Sequence, residues 1–268
     1  MRAILGNREF EWGSRVFLMG IVNTTPDSFS GDGLLDPKEA IERGLRLTRE
    51  GVDLLDVGGE STRPGHQPVA AEEELRRVLP VIEELAARAG VPVSIDTSKL
   101  EVAQAAADAG ARVINDVWGL RQEPRLAELA AERELGLVVM HNRAATDYDD
   151  LVAEVIESLA ESVALATRAG VARERVIVDP GIGFGKTWEQ NLVLLRRLGE
   201  LQRLGQPILV GTSRKSFIGK LLDGAAPADR LEGTAATVAA AVLRGADVVR
   251  VHDVKEMLSV VRVATALR

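Results

Sequence analysis

Two short runs decide how this chain folds: Val91-Pro-Val-Ser94-Ile-Asp96, then, after a glycine at position 110, Arg112-Val-Ile-Asn115-Asp116. Each is a brief β-branched stretch that ends in polar residues. A helix-length segment separates them, and Gly110 supplies the helix stop before the second run. That is the signature of a β-α-β unit with parallel strands. The same unit recurs along the chain. Further apolar runs begin at Val16, Asp53, Leu135, Arg175, Pro207 and Asp247, making eight in all. Helical patterns follow them. Leu75, Val78, Leu79, Ile82 and Leu85 fall at 3–4 spacing behind Glu72, Glu73 and Glu74, and Pro80 within that stretch predicts a kink or a delayed start. A second amphipathic helix is predicted over Ala153 to Ala169. Gly51, Gly90, Gly170 and Gly245 read as further helix stops.

Eight strand–helix repeats in 268 residues average about 33 residues each, the size of a (β/α)₈ barrel. The expected architecture is therefore α/β, a single barrel domain over residues 1–268. Residues 1–14 are expected as an N-terminal extension covering the barrel bottom. A doubly wound open sheet would want a Gly-x-Gly-x-x-Gly loop after its first strand, and Met19 to Phe29 has none.

Composition narrows the function. There is no cysteine, so thiolate metal sites, iron–sulfur clusters, disulfides and cysteine nucleophiles are excluded. The three histidines are too far apart for a His-Glu-x-x-His zinc helix. A net charge of −7 gives no broad electrostatic footprint for nucleic acid. No apolar run reaches membrane-spanning length, and the N-terminus lacks a signal-peptide core. A soluble, cytoplasmic protein with no membrane partner is expected.

In such a barrel the chemistry lies at the C-terminal ends of the strands. Period-two alternation puts Ser94 with Asp96, Asn115 with Val113, Met140 with Val138, Asp179 with Ile177, Leu209 with Gly211 and Ser213, and Arg250 with His252 on shared faces. Polar strand ends on five strands converge on one rim. Three loops follow. Asn23 to Gly33 is a candidate lid or a plain turn. Gly58 to His66 offers Arg63, an anion clamp or a solvated charge. Asp179 to Thr187 resembles a phosphate-binding P-loop but leaves one residue too few between Gly181 and Gly185, and its glycines are expected to let backbone approach a flat ligand. In Gly211-Thr-Ser213-Arg214-Lys215-Ser216, Ser213 is the expected helix N-cap. Lys215 is a Schiff-base candidate, a carbonyl ligand or a surface lysine. Ser213, Arg214, Lys215, Arg250 and His252 together favour an anionic or phosphorylated substrate.

The motifs also resemble a known family. Met19-Gly-Ile-Val-Asn23-Thr-Thr-Pro-Asp27-Ser-Phe29-Ser, Asp56-Val-Gly-Gly-Glu-Ser-Thr62-Arg63-Pro64-Gly, Ser94-Ile-Asp96-Thr-Ser, Ile114-Asn115-Asp116, Met140-His141, Asp179-Pro-Gly-Ile-Gly-Phe184-Gly-Lys, Ser213-Arg-Lys215-Ser and Arg250-Val-His252-Asp are similar to those of the dihydropteroate synthases, in order and across nearly the whole chain. The resemblance implies a TIM barrel, usually a homodimer. It implies transfer of the (7,8-dihydropterin-6-yl)methyl group from its diphosphate to 4-aminobenzoate, with Mg²⁺, giving 7,8-dihydropteroate and diphosphate. It further implies that Asp96, Asn115, Asp179 and Lys215 hold the pterin, with Met140, Phe184 and Gly211 lining its pocket. Asn23, Arg63, Arg250 and His252 would hold the diphosphate, and Thr62, Pro64, Ser213 and Phe29 would border the aminobenzoate. Lys215, Arg250, His252 and Asp96 are the implied catalytic set. Asn23 would lie near the metal. The family's Ser-Asp-Gly-Gly reads Ser30-Gly31-Asp32-Gly33 here, which moves the expected metal-side carboxylate to Asp32, with Asp27 as the competitor. The rival readings are a pterin-binding methyltransferase domain and a non-catalytic pterin-binding paralogue.

Overall fold

A computed structural model describes residues 1–25, 36–60 and 68–268. A two-stranded antiparallel hairpin, β1 (Arg2–Leu5) and β2 (Arg8–Glu11), comes first. Eight parallel strands follow: β3 (Phe17–Asn23), β4 (Leu54–Gly58), β5 (Val93–Asp96), β6 (Val113–Asp116), β7 (Gly136–Met140), β8 (Val176–Asp179), β9 (Leu209–Val210) and β10 (Val248–Val251). They pair in the order β8-β7-β6-β5-β4-β3-β10-β9. A parallel bridge between Val178 and Ile208 joins the two ends and closes the barrel. The helices are α1 (Pro37–Glu50), α2 (Ala71–Arg88), α3 (Leu100–Asp108), α4 (Arg125–Glu132), α5 (Leu151–Arg168), α6 (Trp188–Arg196), α7 (Ser216–Leu221), α8 (Leu231–Leu243) and α9 (Val254–Ala266). All eight apolar runs of the sequence became strands.

Alternation along the strands makes two separate cores. Outward residues such as Leu18, Leu55, Ile95, Ile114, Val139, Val178 and Val249 pack on the helices. Inward residues Phe17, Met19, Leu54, Val113, Val138, Ile177, Leu209 and Val248 form a second cluster. Ala3, Leu5, Phe10 and Trp12 of the hairpin join that inner cluster. Phe10, Trp12 and Phe17 stack with ring centroids 4.8–5.5 Å apart. The hairpin is fastened electrostatically as well. Arg8 and Arg15 both reach the buried Asp53 carboxylate, and the Trp12 indole donates to the Glu174 carbonyl.

The helix signals read from the sequence were mostly followed. Asp36 caps α1, with Pro37 at its first position, and Thr187 with Gln190 forms a capping box on α6. The predicted stop glycines 51, 90, 110, 170 and 245 all have positive φ. Two expectations fail. Pro80 does not delay α2, which starts at Ala71. Pro80 lies on the exposed side of that helix, where water can satisfy the carbonyl that its ring leaves without a donor. Ser213 is not a helix cap either. Arg214 turns into the left-handed region at φ 58°, so α7 begins only at Ser216. The turn is over-determined. The Arg214 amide donates to Thr234, its carbonyl accepts from Arg230, and its guanidinium pairs with Asp253. Strain of ~1–2 kcal/mol at a non-glycine residue survives only under such constraint.

Candidate active site

Register places the polar strand ends side by side. Asp56 pairs with Ser94, Gly58 with Asp96, Asp96 with Asn115, and Met140 with Asp179. Asp56, Ser94, Asp96, Asn115, Met140 and Asp179 are all buried. At their centre is Arg250, about a fifth exposed. Its Nε donates to Asp56 Oδ2 at 2.6 Å and its Nη2 to Asp96 Oδ2 at 2.9 Å. Asn115 Nδ2 donates to the same Asp56 oxygen at 3.1 Å. The other carboxylate oxygens, Asp56 Oδ1 and Asp96 Oδ1, and the Ser94 hydroxyl are buried with no partner among the described residues.

One guanidinium cannot neutralise two carboxylates buried this deeply. Burial dominates at Asp96, Arg250 only partly offsets it, and the Asp56 charge adds to it, pushing the Asp96 carboxyl up to about 8. Burial alone would lower Arg250, but the two carboxylates outweigh it and its pKa is raised.

The opposite wall joins β8 to β9. Burial raises the Asp179 carboxyl, partly opposed by Lys215. Burial lowers Lys215 to about 8, against the pull of Asp179. The Lys215 ammonium donates to the Ile182 carbonyl and sits 4.6 Å from the Phe184 ring centroid. Asp179 Oδ1 accepts the Gly181 amide at 2.7 Å. Gly211 lies against Cβ of Arg250. His252 Nδ1 is 2.9 Å from the Ser213 hydroxyl, which also accepts the His252 amide. Asn23 is half-buried at the end of β3, opposite Gly58.

The structure thus brings together Asp96, Asn115, Arg250, Asp179, Lys215, Phe184, Met140, Gly211, Ser213 and His252 on one rim. Thr62, Arg63, Pro64, Phe29, Asp32 and Asp27 lie outside the described residues. Arg214, grouped with the anion-binding residues on sequence grounds, is committed to Asp253. The glycines of the third loop also serve another purpose than expected. A Cβ on Gly181 would stand 1.9 Å from the His141 carbonyl oxygen, and one on Gly185 2.1 Å from that of Arg143. Gly181 and Gly185 thus admit the neighbouring β7 loop, while Gly183 leaves room for the Lys215 side chain.

Asp56 was missed as a site residue. The inward alternation Leu54, Asp56, Gly58 was its signal: an acid in the middle of a buried strand needs a partner inside the barrel. Among the described residues no group of three or more acidic or histidine side chains could cage a metal ion.

Residues 19–252 match the family model described as pterin binding enzyme. The chain is 46% identical to the dihydropteroate synthase of Synechocystis sp. over 98% of its own length and 94% of that relative. It superimposes on a Clostridium difficile dihydropteroate synthase determined in the presence of pteroic acid. The TM-score is 0.91 at 46% identity, covering 96% of this chain and 98% of that one. A Xanthomonas albilineans dihydropteroate synthase with 4-aminobenzoic acid gives 0.92 at 45% identity, covering 99% and 97%. With a matching order of motifs, a closed barrel and an inward-facing set of acids and cations at one rim, the chain belongs to the pterin-binding enzymes and, among them, to the dihydropteroate synthases.

Proposed function

We propose that this chain's own rim residues join a dihydropterin methyl diphosphate to 4-aminobenzoate, releasing 7,8-dihydropteroate and diphosphate. A transferase of this family needs a slot for a flat polar heterocycle. The observation that carries the reading is the buried Asp179 facing the half-buried Lys215, each pushed toward neutrality by loss of water. A polar ring supplying both donors and an acceptor would compensate both groups. The pterin 2-amino group and N3–H form a donor pair for the Asp179 carboxylate. Lys215 donates to the ring carbonyl. Asp96 and Asn115 face the other edge, Met140 and Phe184 cover the ring, and Gly211 leaves room for it.

Arg250, His252 and Asn23, with Arg63 from the second loop, hold the diphosphate. They act on the leaving group. As the methylene C–O bond breaks, the electron pair goes to the diphosphate, and cations that bind it more tightly as its charge grows stabilise the transition state. The dihydropterin carries the positive charge left at the methylene. The arylamine nitrogen then forms the new C–N bond and gives up a proton to solvent or diphosphate, so no strong base is required. Thr62, Pro64 and Phe29 border the aminobenzoate, with Ser213 beside His252.

If Mg²⁺ binds, Asn23 at the rim and Asp32 or Asp27 of the first loop are the residues that would offer it oxygens, a small set that suits an ion which keeps several waters. When bound, it neutralises charge on the leaving group.

A cytoplasmic setting belongs to the same reading; no described helix is long and apolar enough to cross a membrane. A homodimer is supported by the exposed apolar residues Leu243 on α8, Val263 on α9 and Leu267 just beyond it; light scattering should give twice the 28.8 kDa chain mass.

The direct test is an assay with both substrates and Mg²⁺. Equimolar pteroate and diphosphate are expected. Binding of pterin without product would favour the non-catalytic reading.

A further inference from the structure

Lys186 is a buried lysine that the reaction above does not use. It follows the Asp179–Gly185 loop, between β8 and α6, and its side chain turns back under that loop. Burial lowers its pKa to about 7, against the pull of Asp179; as an ammonium it has three hydrogens for three acceptors. Nζ lies 2.8 Å from His141 Nδ1 and 2.8 Å from the Phe184 carbonyl, with the His141 carbonyl at 3.5 Å. His141 closes β7 on the outward face, next to the inward Met140. Accepting at Nδ1 fixes its proton on Nε2. Burial, together with Lys186, Arg121 and Arg143, keeps the imidazole neutral, with its pKa near 3.

The loop needs such a fastening. Gly181, Gly183 and Gly185 all have positive φ, a conformation with no regular hydrogen-bond ladder of its own. The Gly181 amide is held by Asp179 and the Gly183 amide by Asn191 Oδ1, at 2.7 and 2.6 Å. The Gly185 carbonyl accepts from Tyr148. Among the described residues, Lys186 alone ties the Phe184 carbonyl to His141 at the end of β7. Phe184 and Ile182 are the groups that receive the Lys215 ammonium.

We propose that Lys186 is a positioning residue for pterin binding: through His141 Nδ1 and the Phe184 carbonyl it holds the β8–α6 loop where Phe184 and Ile182 can aim Lys215 at the ring. The inference rests on the pterin reading of the rim and adds to it a pair outside the pocket. Lys186 touches no substrate. Its effect reaches the site through the loop and through its charge near Asp179, so it falls on pterin affinity rather than on aminobenzoate; His141→Phe keeps that charge and isolates the loop.

The test uses Lys186→Met, His141→Phe and the double variant in the full-length chain. Calorimetry would follow binding of a hydroxymethyl dihydropterin, and steady-state kinetics would give KM for each substrate. Lys186→Met should weaken pterin binding at least tenfold and leave KM for 4-aminobenzoate within twofold. His141→Phe should move the same quantity in the same direction. The double variant should lose no more than about threefold beyond the worse single, because both remove one contact. Unchanged pterin affinity in folded Lys186→Met, with only a lower melting temperature, would overturn the proposal and leave a packing role. Fully multiplicative losses would overturn the coupling to His141. If Lys186→Met does not fold, His141→Phe decides alone: wild-type pterin affinity in it overturns the proposal. A wild-type chain that binds no pterin would instead overturn the function on which the inference rests.

Discussion

Arg250 shares one positive charge between Asp56 and Asp96, and the arithmetic of that trio governs the rim. Truncating it leaves two buried acids without a cation. Removing one side of a buried ion pair costs ~3–5 kcal/mol; the low end applies because the guanidinium is 22% exposed. Arg250→Ala should therefore unfold at lower denaturant concentration, besides losing affinity for the diphosphate substrate. Because Arg250 also holds Asp96, some loss for the free hydroxymethyl pterin is expected too. The sequence suggested a purely diphosphate-facing arginine, since the partner Asp56 is distant in the chain and visible only once β4 and β10 flank β3. Asp96 makes a pH prediction. Its folded pKa of about 8 lies above the ordinary 3.8, so between those values the folded chain holds a proton that the unfolded chain has released. Its stabilisation is full below the unfolded value and is lost as pH rises through about 8. Lys215 runs the other way: lowered to about 8 from 10.5, it favours the fold at high pH and loses that contribution as pH falls through 8. Melting temperature against pH should fall less between pH 4 and 8 in Asp96→Asn than in the wild type. An unchanged slope would contradict the assignment.

At the level of elements, the glycine loop after β8 shows what a linear reading can and cannot supply. Its unusual composition was legible, and so was its nearness to a ligand site. The reason for Gly181 and Gly185 was not, because the carbonyls of His141 and Arg143 that demand them belong to another loop. Two substitutions separate backbone strain from steric exclusion. Gly13→Ala at φ 84° meets nothing within 4 Å, so it should cost only the ~1–2 kcal/mol of left-handed backbone and leave substrate binding intact. Gly181→Ala at φ 71° meets the His141 oxygen at 1.9 Å. It must displace the loop, and pterin affinity should fall at least tenfold. Calorimetry and thermal melts on both variants check the contrast. The eight strands were readable because each is a short buried run, and on several a polar residue marks the C-terminal end. The start of α7 was not, because tertiary contacts to Thr234, Arg230 and Asp253 hold Arg214 in a conformation that local propensity disfavours.

Across the whole molecule, stability and chemistry occupy opposite ends of the barrel. The hairpin, Asp53 and the inner apolar cluster lie at the bottom, while the charged rim lies at the top. Phe10, on the second hairpin strand, is fully buried in that inner cluster. Phe10→Ala should cost ~3–5 kcal/mol of unfolding free energy yet leave kcat/KM of the folded fraction near wild type. A matching loss of catalytic efficiency would mean that the bottom is coupled to the rim. This division also explains why the barrel could be read from periodicity alone, whereas the rim network required knowing which strands are neighbours.

The central claim is that the buried Asp179 carboxylate accepts the donor edge of a pterin. Calorimetric titration of wild type and Asp179→Asn with a hydroxymethyl dihydropterin tests it most directly. The substitution turns one acceptor into a donor facing donors, and an unmet buried pair costs ~1–3 kcal/mol or more. At least a tenfold loss of affinity in a variant that melts like a folded barrel is predicted; wild-type affinity in that variant would contradict the account.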